Sequence, residues 1–180
     1  MKKVVAFIGS PRKKGNTVKT VNEILKGVKE AGGETKIYYL NDMNIKPCQG
    51  CLYCRKEESC AIKDDMQTVY QDMKEADAIV IGSPIYFGQM SAQTKIFIDR
   101  LYSTIDDDFK PRFGSKNVVI VYSQTSPNPE AFKQYIDFST QVFGHLGWEV
   151  INTILNCGDT ISDEKKEDLE KAYKMGREIV

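Results

Sequence analysis

The chain has 180 residues, of which 41% are hydrophobic and 28% charged, and its 25 acidic side chains balance its 25 basic ones. This length predicts one domain that buries roughly 70% of the surface its unfolded chain exposes, so disulfides are not needed for stability. The lack of net charge argues against a nucleic-acid partner, and the N-terminal apolar run is too short for a signal peptide or a membrane span.

Short runs rich in valine and isoleucine alternate along the chain with longer segments of helical period. The runs predict five strands, at residues 4–8, 35–40, 78–81, 118–122 and 149–155. The longer segments predict five helices, at residues 18–31, 65–76, 92–103, 130–146 and 163–179. A strand followed by a helix, five times over, predicts a parallel sheet with helices on both faces.

Five strands favour a flavodoxin-like α/β fold, a three-layer sandwich with a five-stranded parallel sheet of order 2-1-3-4-5, over a six-stranded Rossmann sheet. In this order the direction of winding reverses between strands one and three. Ligands bind at such a point, at the carboxyl ends of the strands. The loops after the first and third strands are therefore the first places to look for a site.

The first of these loops, "GSPRKKGNT", leads directly into a helix whose free amides and positive dipole end point into it. Side-chain hydrogen bonds are available from Ser10, Asn16 and Thr17. Arg12, Lys13 and Lys14 add positive charge where a helix start prefers acidic residues, and a bound phosphate would resolve that conflict. The alternative is a polar turn with an asparagine cap. The loop matches neither the Walker pattern nor the dinucleotide fingerprint.

The loop after the third strand, "GSPIYFGQM", places a proline and two consecutive aromatic residues at the carboxyl end of an interior strand. Flat apolar side chains beside a phosphate site suit a mononucleotide that carries a flat ring system. The alternative is that Tyr86 and Phe87 only cap the core.

Together with "KIFIDR", these two loops resemble the flavodoxin-like NADPH-dependent FMN reductases, across nearly the whole chain. The resemblance implies a single FMN-binding domain over residues 1–180. The residues that would hold the FMN phosphate are Ser10, Arg12, Asn16 and Thr17. The residues that would line the flavin are Pro84, Ile85, Tyr86, Phe87 and Gly88.

The loop after the fourth strand, "YSQTSPNPE", stands where members of this family touch the other side of the flavin, which implies a contact from Ser123 and Gln124. In "KIFIDR", we expect Lys95, Asp99 and Arg100 to serve helix packing and ion pairing rather than catalysis.

Four of the five cysteines lie in "PCQGCLYCRKEESC". The spacing C-x2-C-x2-C lets local backbone wrap one [4Fe-4S] cluster, and Cys60 follows closely enough to supply a fourth ligand. The apolar start of the chain indicates a strand in a cytoplasmic protein, where disulfides are disfavoured. Structural zinc and a reactive dithiol stay open as alternatives.

With a flavin domain around it, this cysteine-rich loop at residues 47–64 resembles that of the iron-sulfur flavoprotein subgroup. The resemblance implies cluster ligation by Cys48, Cys51, Cys54 and Cys60. It also implies a homodimer or homotetramer with clusters near flavins across subunit contacts. Cys157 lies apart from the others, and we expect it to be a small buried apolar residue.

The resemblance implies an oxidoreductase in which FMN couples NAD(P)H or a cluster to a small-molecule or protein acceptor. Since the flavin carries the reaction, no protein nucleophile or acid–base pair is required. The single histidine, His145, is expected to be a helix cap or a surface residue. A second nucleotide motif is not needed, because flavodoxin-like reductases can stack nicotinamide on the exposed flavin. The alternative is a non-catalytic sensor or regulatory module with a zinc or thiol loop.

Overall fold

A parallel β-sheet lies at the centre of the computed structural model, which describes residues 1–159 and 166–179. Its strands are β1 (Lys3–Ile8), β2 (Glu34–Tyr39), β3 (Ala78–Tyr86), β4 (Gln89–Met90), β5 (Lys116–Gln124) and β6 (Trp148–Cys157). The order is β2-β1-β3-β5-β6, and the two-residue β4 pairs antiparallel with β3. With β4 set aside, the predicted flavodoxin-like order 2-1-3-4-5 is confirmed.

Six α-helices are described: α1 (Asn16–Glu30), α2 (Tyr53–Lys56), α3 (Met66–Glu75), α4 (Ala92–Arg100), α5 (Lys133–Thr140) and α6 (Lys166–Glu178). The helix predicted at 130–146 is irregular, because 3₁₀ segments at Pro129–Phe132 and Gln141–Leu146 flank α5. The helix predicted at 92–103 changes to 3₁₀ geometry after Arg100. Residues 163–165, the start of the last predicted helix, lie outside the described residues. None of the described helices is long and apolar enough to cross a membrane.

The two faces of the sheet bury two apolar layers. In β1, Val4, Ala6 and Ile8 pack in a cluster with α1 and α6, whereas Val5 and Phe7 pack in the other cluster with α3 and α4. All five side chains are completely buried. This explains why the strand is an unbroken apolar run rather than an alternating one.

Glycines allow α1 to approach its neighbours closely. A β-carbon on Gly27 would lie 2.1 Å from the carbonyl oxygen of Tyr173 in α6. A β-carbon on Gly82 of β3 would lie 2.9 Å from Cγ2 of Thr17. The first turn of α1 therefore packs directly on β3, which fixes the position of the loop between β1 and α1.

Candidate functional site

A cleft of about 330 Å³ opens at the carboxyl edge of the sheet, where β1, β3, β5 and β6 end. It brings the three predicted loops together. Its lining consists of Ser10, Arg12, Gly15, Asn16, Thr17, Pro84, Ile85, Tyr86, Phe87, Ser123, Gln124, Thr125, Gly158 and Asp159. All but one of the residues predicted to bind the cofactor are in this set. Gly88 lies next to Phe87 but does not line the cleft.

The loop between β1 and α1 is shaped by its own hydrogen bonds. The amide of Gly9 donates to the carbonyl oxygen of Gly82 at 2.8 Å, and Ser10 Oγ accepts from the amide of Arg12 at 3.2 Å. Gly15 is the N-cap residue of α1, so the alternative of an asparagine cap is wrong, and no side chain caps the helix. The positive end of α1 therefore faces the cleft without a capping side chain.

The three cations of this loop differ in their surroundings. Lys13 forms an ion pair with Asp42 and lies over the ring of Tyr39, 3.6 Å from its centroid. Its hydrogen bond to Asp42 holds the pKa of that carboxyl below its usual value. Arg12 lines the cleft and has no ion pair with any carboxylate of the described residues. Lys14 does not line the cleft, so of the three cations Arg12 is the best placed for an anion there.

A hydrogen-bonded group of polar side chains joins α1, β5 and β6 below the cleft. The hydroxyl of Thr17 donates to Ser123 Oγ at 3.0 Å, and Asn156 Nδ2 donates to the same oxygen at 3.1 Å. With two bonds accepted, the Ser123 hydroxyl keeps its own proton for an acceptor in the cleft. The Thr17 hydroxyl, by contrast, already donates its proton to Ser123 and so has none to donate to a ligand.

The loop predicted after residue 81 is mostly strand. β3 continues to Tyr86, and Phe87 and Gly88 form a two-residue turn into β4. Both have positive φ angles, 51° and 84°, as a type I′ hairpin turn requires. Pro84 and Ile85 are buried at the cleft, whereas Tyr86 is partly exposed and Phe87 fully exposed.

Gln124 carries an unsatisfied acceptor at the cleft. Its Nε2 donates to the carbonyl oxygens of Ser126 at 3.2 Å and Asn128 at 2.7 Å, which sets the orientation of the amide. Its Oε1 is buried, and none of the residues that the structure describes donates a hydrogen bond to it. A buried acceptor without a partner is costly, and an N–H or O–H of a ligand would satisfy it.

The cleft thus fits the two ends of FMN. A helix start with Arg12 suits a phosphate, and an apolar wall together with the unsatisfied oxygen of Gln124 suits a flat ring with a hydrogen-bond donor.

Four lining residues were missed from the sequence: Gly15, Thr125, Gly158 and Asp159. The last two follow β6 directly, and Asn16 Nδ2 donates to the carbonyl oxygen of Gly158 at 3.3 Å. The parallel sheet itself could have indicated them, since the end of β6 lies at the same edge as the other loops.

Cys157, predicted to be buried, is partly exposed, and His145 is a surface residue as predicted.

The four clustered cysteines, Cys48, Cys51, Cys54 and Cys60, form no disulfide. Within the loop at residues 47–64, hereafter the cysteine segment, Cys48 and Cys51 are exposed, Cys54 is half-buried and Cys60 is buried. Burial raises the pKa of the Cys54 thiol, and the nearby thiols of Cys60, Cys48 and Cys51 raise it further. Even so, within residues 1–159 and 166–179 no three His, Cys, Asp or Glu side chains are grouped so that they could hold a metal ion.

Two arginines hold the cysteine segment in place. Arg100 Nη1 donates to the carbonyl oxygen of Lys46 at 2.8 Å and to Asp64 Oδ2 at 2.6 Å, and its Nη2 donates to Asp64 Oδ1 at 3.1 Å. The predicted ion-pairing role of Arg100 is thus confirmed. Arg112 Nη1 donates to the carbonyl oxygen of Cys54 at 2.8 Å. No residue of the segment is among those that line the cleft.

Comparisons with known proteins give a family and a group of relatives. Residues 2–159 match the family model of NADPH-dependent FMN reductases. An iron-sulfur flavoprotein of Methanocaldococcus jannaschii is 47% identical over 98 residues, which are 54% of this chain and 51% of that protein. An iron-sulfur flavoprotein of Archaeoglobus fulgidus is 29% identical over 178 residues, which are 98% of this chain and 78% of that protein. The chain spans about half the length of the first relative.

Solved structures show the same fold. An NAD(P)H:quinone oxidoreductase from Methanothermobacter marburgensis aligns with a TM-score of 0.74 and 18% identity, covering 97% of this chain and 94% of that one. An FMN-dependent NADH-azoreductase from Bacillus anthracis str. Ames Ancestor, solved in complex with FMN, aligns with a TM-score of 0.67 and 16% identity, covering 99% and 97%. Likeness at such low identity establishes the flavodoxin-like fold.

Proposed function

The chain belongs to the family of NADPH-dependent FMN reductases, and from that premise we propose that it is an oxidoreductase that binds FMN in the cleft and passes electrons from NAD(P)H to an acceptor. One observation carries the proposal. The cleft joins an uncapped helix start with Arg12 to an apolar wall and an unsatisfied buried acceptor on Gln124. These are the features that a ligand with a phosphate at one end and a flat ring at the other requires.

The phosphate would be held by Ser10, Arg12, Asn16 and Thr17, with Thr17 contributing through its backbone because its hydroxyl is already bonded to Ser123. The ring would lie against Pro84, Ile85 and Tyr86 on one side and near Ser123 and Gln124 on the other. When bound, FMN supplies electron transfer in one-electron and two-electron steps. The chain binds and orients the cofactor and keeps water from one face of it.

We further propose that Cys48, Cys51, Cys54 and Cys60 ligate a [4Fe-4S] cluster. Their spacing in the sequence supports this. Relatives that carry the name iron-sulfur flavoprotein support it as well. The cluster would exchange electrons with a flavin in the same subunit or a neighbouring one of a homodimer or homotetramer. The cytoplasmic location expected from the sequence stays a prediction.

Quantitative analysis of anaerobically purified protein tests both proposals. We expect one FMN per chain, together with about four irons and four acid-labile sulfides. Zinc in place of iron, or FMN with no iron even after cluster reconstitution, would contradict the cluster but not the flavin site. A protein that does not retain added FMN would contradict the flavin site.

Steady-state oxidation of NADH and NADPH with an added acceptor tests the activity. Turnover that depends on bound FMN is the expected result. An FMN-loaded protein without turnover would favour the non-catalytic sensor instead.

A further inference from the structure

Asn156 is a buried amide near the end of β6, below the cleft but not among the residues that line it. Its side chain is only 2% exposed. Burying an amide has a desolvation cost that leucine, a side chain of nearly the same size, would not have. Packing between the sheet and α1 therefore gives no reason for an asparagine at this position.

The hydrogen bonds of the amide fix its orientation. Its Nδ2 donates to the carbonyl oxygen of Tyr122 at 3.3 Å and to Ser123 Oγ at 3.1 Å. A carbonyl oxygen can only accept, so the nitrogen of Asn156, and not its oxygen, faces Tyr122 and Ser123. Ser123 Oγ therefore accepts a proton from Asn156 and cannot give its own proton to that amide.

Thr20 of α1 supports the amide from the other side. It is completely buried, and its hydroxyl donates to Asn156 Oδ1 at 3.3 Å. A threonine inside a helix commonly bonds a carbonyl oxygen of its own preceding turn, but here the hydroxyl reaches across to β6. Both hydrogens and the oxygen of the Asn156 amide thus have partners, which makes its position well defined.

The network ends at the partly exposed hydroxyl of Ser123, which lines the cleft. Its oxygen accepts from Asn156 and from the hydroxyl of Thr17. A hydroxyl oxygen has two acceptor positions, and both are filled from below. The remaining group, the O–H of Ser123, is left to donate on the side of the cleft.

We propose that Asn156 is a positioning residue for the cofactor: supported by Thr20, it holds the Ser123 hydroxyl as a hydrogen-bond donor to FMN. This inference rests on the proposed function, because it concerns how the same cleft holds FMN. The Asn156 amide does not touch the ligand, so its effect on FMN passes through the Ser123 hydroxyl.

The alternative is that the amide only joins β6 to α1. In both cases the replacement of Asn156 lowers the free energy of unfolding, so stability does not distinguish the two roles. FMN affinity does, when it is measured with and without the Ser123 hydroxyl, because a role that passes through this hydroxyl disappears together with it.

The test is a double-mutant cycle in the full chain, with FMN titrated into the apoprotein by isothermal titration calorimetry. We expect Ser123→Ala to raise the dissociation constant for FMN about 3- to 10-fold, the size of one hydrogen bond. Asn156→Leu should raise it about 3-fold, and no further than Ser123→Ala does. Added to Ser123→Ala, the leucine should have no further effect. Added to Ser123→Thr, which keeps a hydroxyl, it should weaken binding again.

Asn152→Leu is the matched control. Asn152 lies on the same strand, is partly exposed and does not line the cleft, so this variant should bind FMN as the parent does. Thr20→Val is a second, milder variant, since it replaces one buried hydroxyl by a methyl group of similar size. It should weaken FMN binding in the parent and not in Ser123→Ala. It decides the question if Asn156→Leu does not fold.

Two results would overturn the proposal. One is an unchanged affinity in folded Asn156→Leu or, if that variant does not fold, in Thr20→Val. The other is an equal loss of affinity with and without the Ser123 hydroxyl, which would make the amide purely structural. In both, the parent still binds FMN and the proposed function stands. A parent that binds no FMN would refute the proposed function, and this inference with it.

Discussion

At the scale of single residues, the amide of Gln124 links the fold to the proposed ligand. Its nitrogen donates to two backbone carbonyls, and its buried oxygen accepts no hydrogen bond from the described part of the chain. If FMN satisfies this oxygen, Gln124→Met should raise the dissociation constant for FMN about 3- to 10-fold, since one hydrogen bond contributes about 0.5–1.5 kcal/mol. Fluorescence titration of FMN into the apoprotein measures this.

Gln134→Met is the control, because Gln134 is exposed on α5 and does not line the cleft. It should leave FMN affinity unchanged. An unchanged affinity in Gln124→Met, with the fold intact by circular dichroism, would mean that the ligand does not reach this oxygen.

The sequence predicted residues of the cleft better than it predicted their bonding. Ser10, Arg12 and Thr17 lie where the motif places them, because a βα loop has few possible paths. The ion pair of Lys13 with Asp42 and the bond of Thr17 to Ser123 join residues far apart in sequence. Such pairs depend on which strands are neighbours and on side-chain rotamers, and no local pattern encodes them.

At the scale of elements, the buried ion pair of Arg100 and Asp64 holds the two ends of the cysteine segment together, because Arg100 also bonds the carbonyl oxygen of Lys46. Burial alone would raise the pKa of Asp64, but hydrogen bonds from Arg100 and from the amides of Lys46 and Met66 outweigh it and hold the pKa below its usual value. A carboxyl with a lowered pKa in the folded state stabilises the fold above its unfolded pKa of about 3.9. That contribution is lost as the pH falls through the lower, folded pKa.

Asp64→Asn should therefore destabilise the protein most at neutral pH. Because the substitution leaves the buried guanidinium without a carboxylate, we expect a loss of about 3–5 kcal/mol at pH 7. The difference from the parent should shrink below about pH 4, because the carboxyl of the parent's unfolded state then takes up a proton, and it should level off below the lower pKa of the folded state. Urea unfolding at several pH values measures it.

Asp99→Asn is the control, because Asp99 lies on the same helix as Arg100 but forms only an exposed pair with Lys95. It should change stability little at any pH. If the free energies of unfolding of Asp64→Asn and the parent differ by the same amount at every pH, the charge of the Asp64 carboxylate does not stabilise the fold.

The elements themselves were largely predictable, and the exception has a physical cause. The sequence predicts a third strand that ends at residue 81, before glycine, serine and proline, which usually interrupt a strand. In the structure β1 ends opposite Gly82, and β4 pairs with β3 only at Ile85 and Tyr86, so at Pro84 the pairing is with Ser123 of β5 alone. A proline is tolerated there because one edge of the strand is no longer part of a ladder. The order of strands decides this, and it is not a local property.

At the scale of the whole molecule, the two proposed redox centres rest on different parts of the chain. The cleft is built from the ends of β1, β3, β5 and β6, whereas the cysteine segment is held by Arg100 and Arg112. No residue of the segment lines the cleft. Because the two sites share no residues, we expect FMN and the cluster to be bound independently, so that either can be lost while the other remains.

Cys51→Ala tests that independence from the side of the cluster. Cys51 is exposed, so its loss should not disturb packing, and we expect iron to be lost while FMN stays bound. Cys157→Ala, which removes the cysteine outside the segment, should keep its iron. Replacing Asn16 by Ala together with Thr17 by Val should do the reverse, lowering FMN content and leaving iron in place. Full iron content in Cys51→Ala would refute the ligand assignment. Parallel loss of both cofactors in properly folded variants would mean that the centres depend on each other, through a subunit contact that a single chain does not contain.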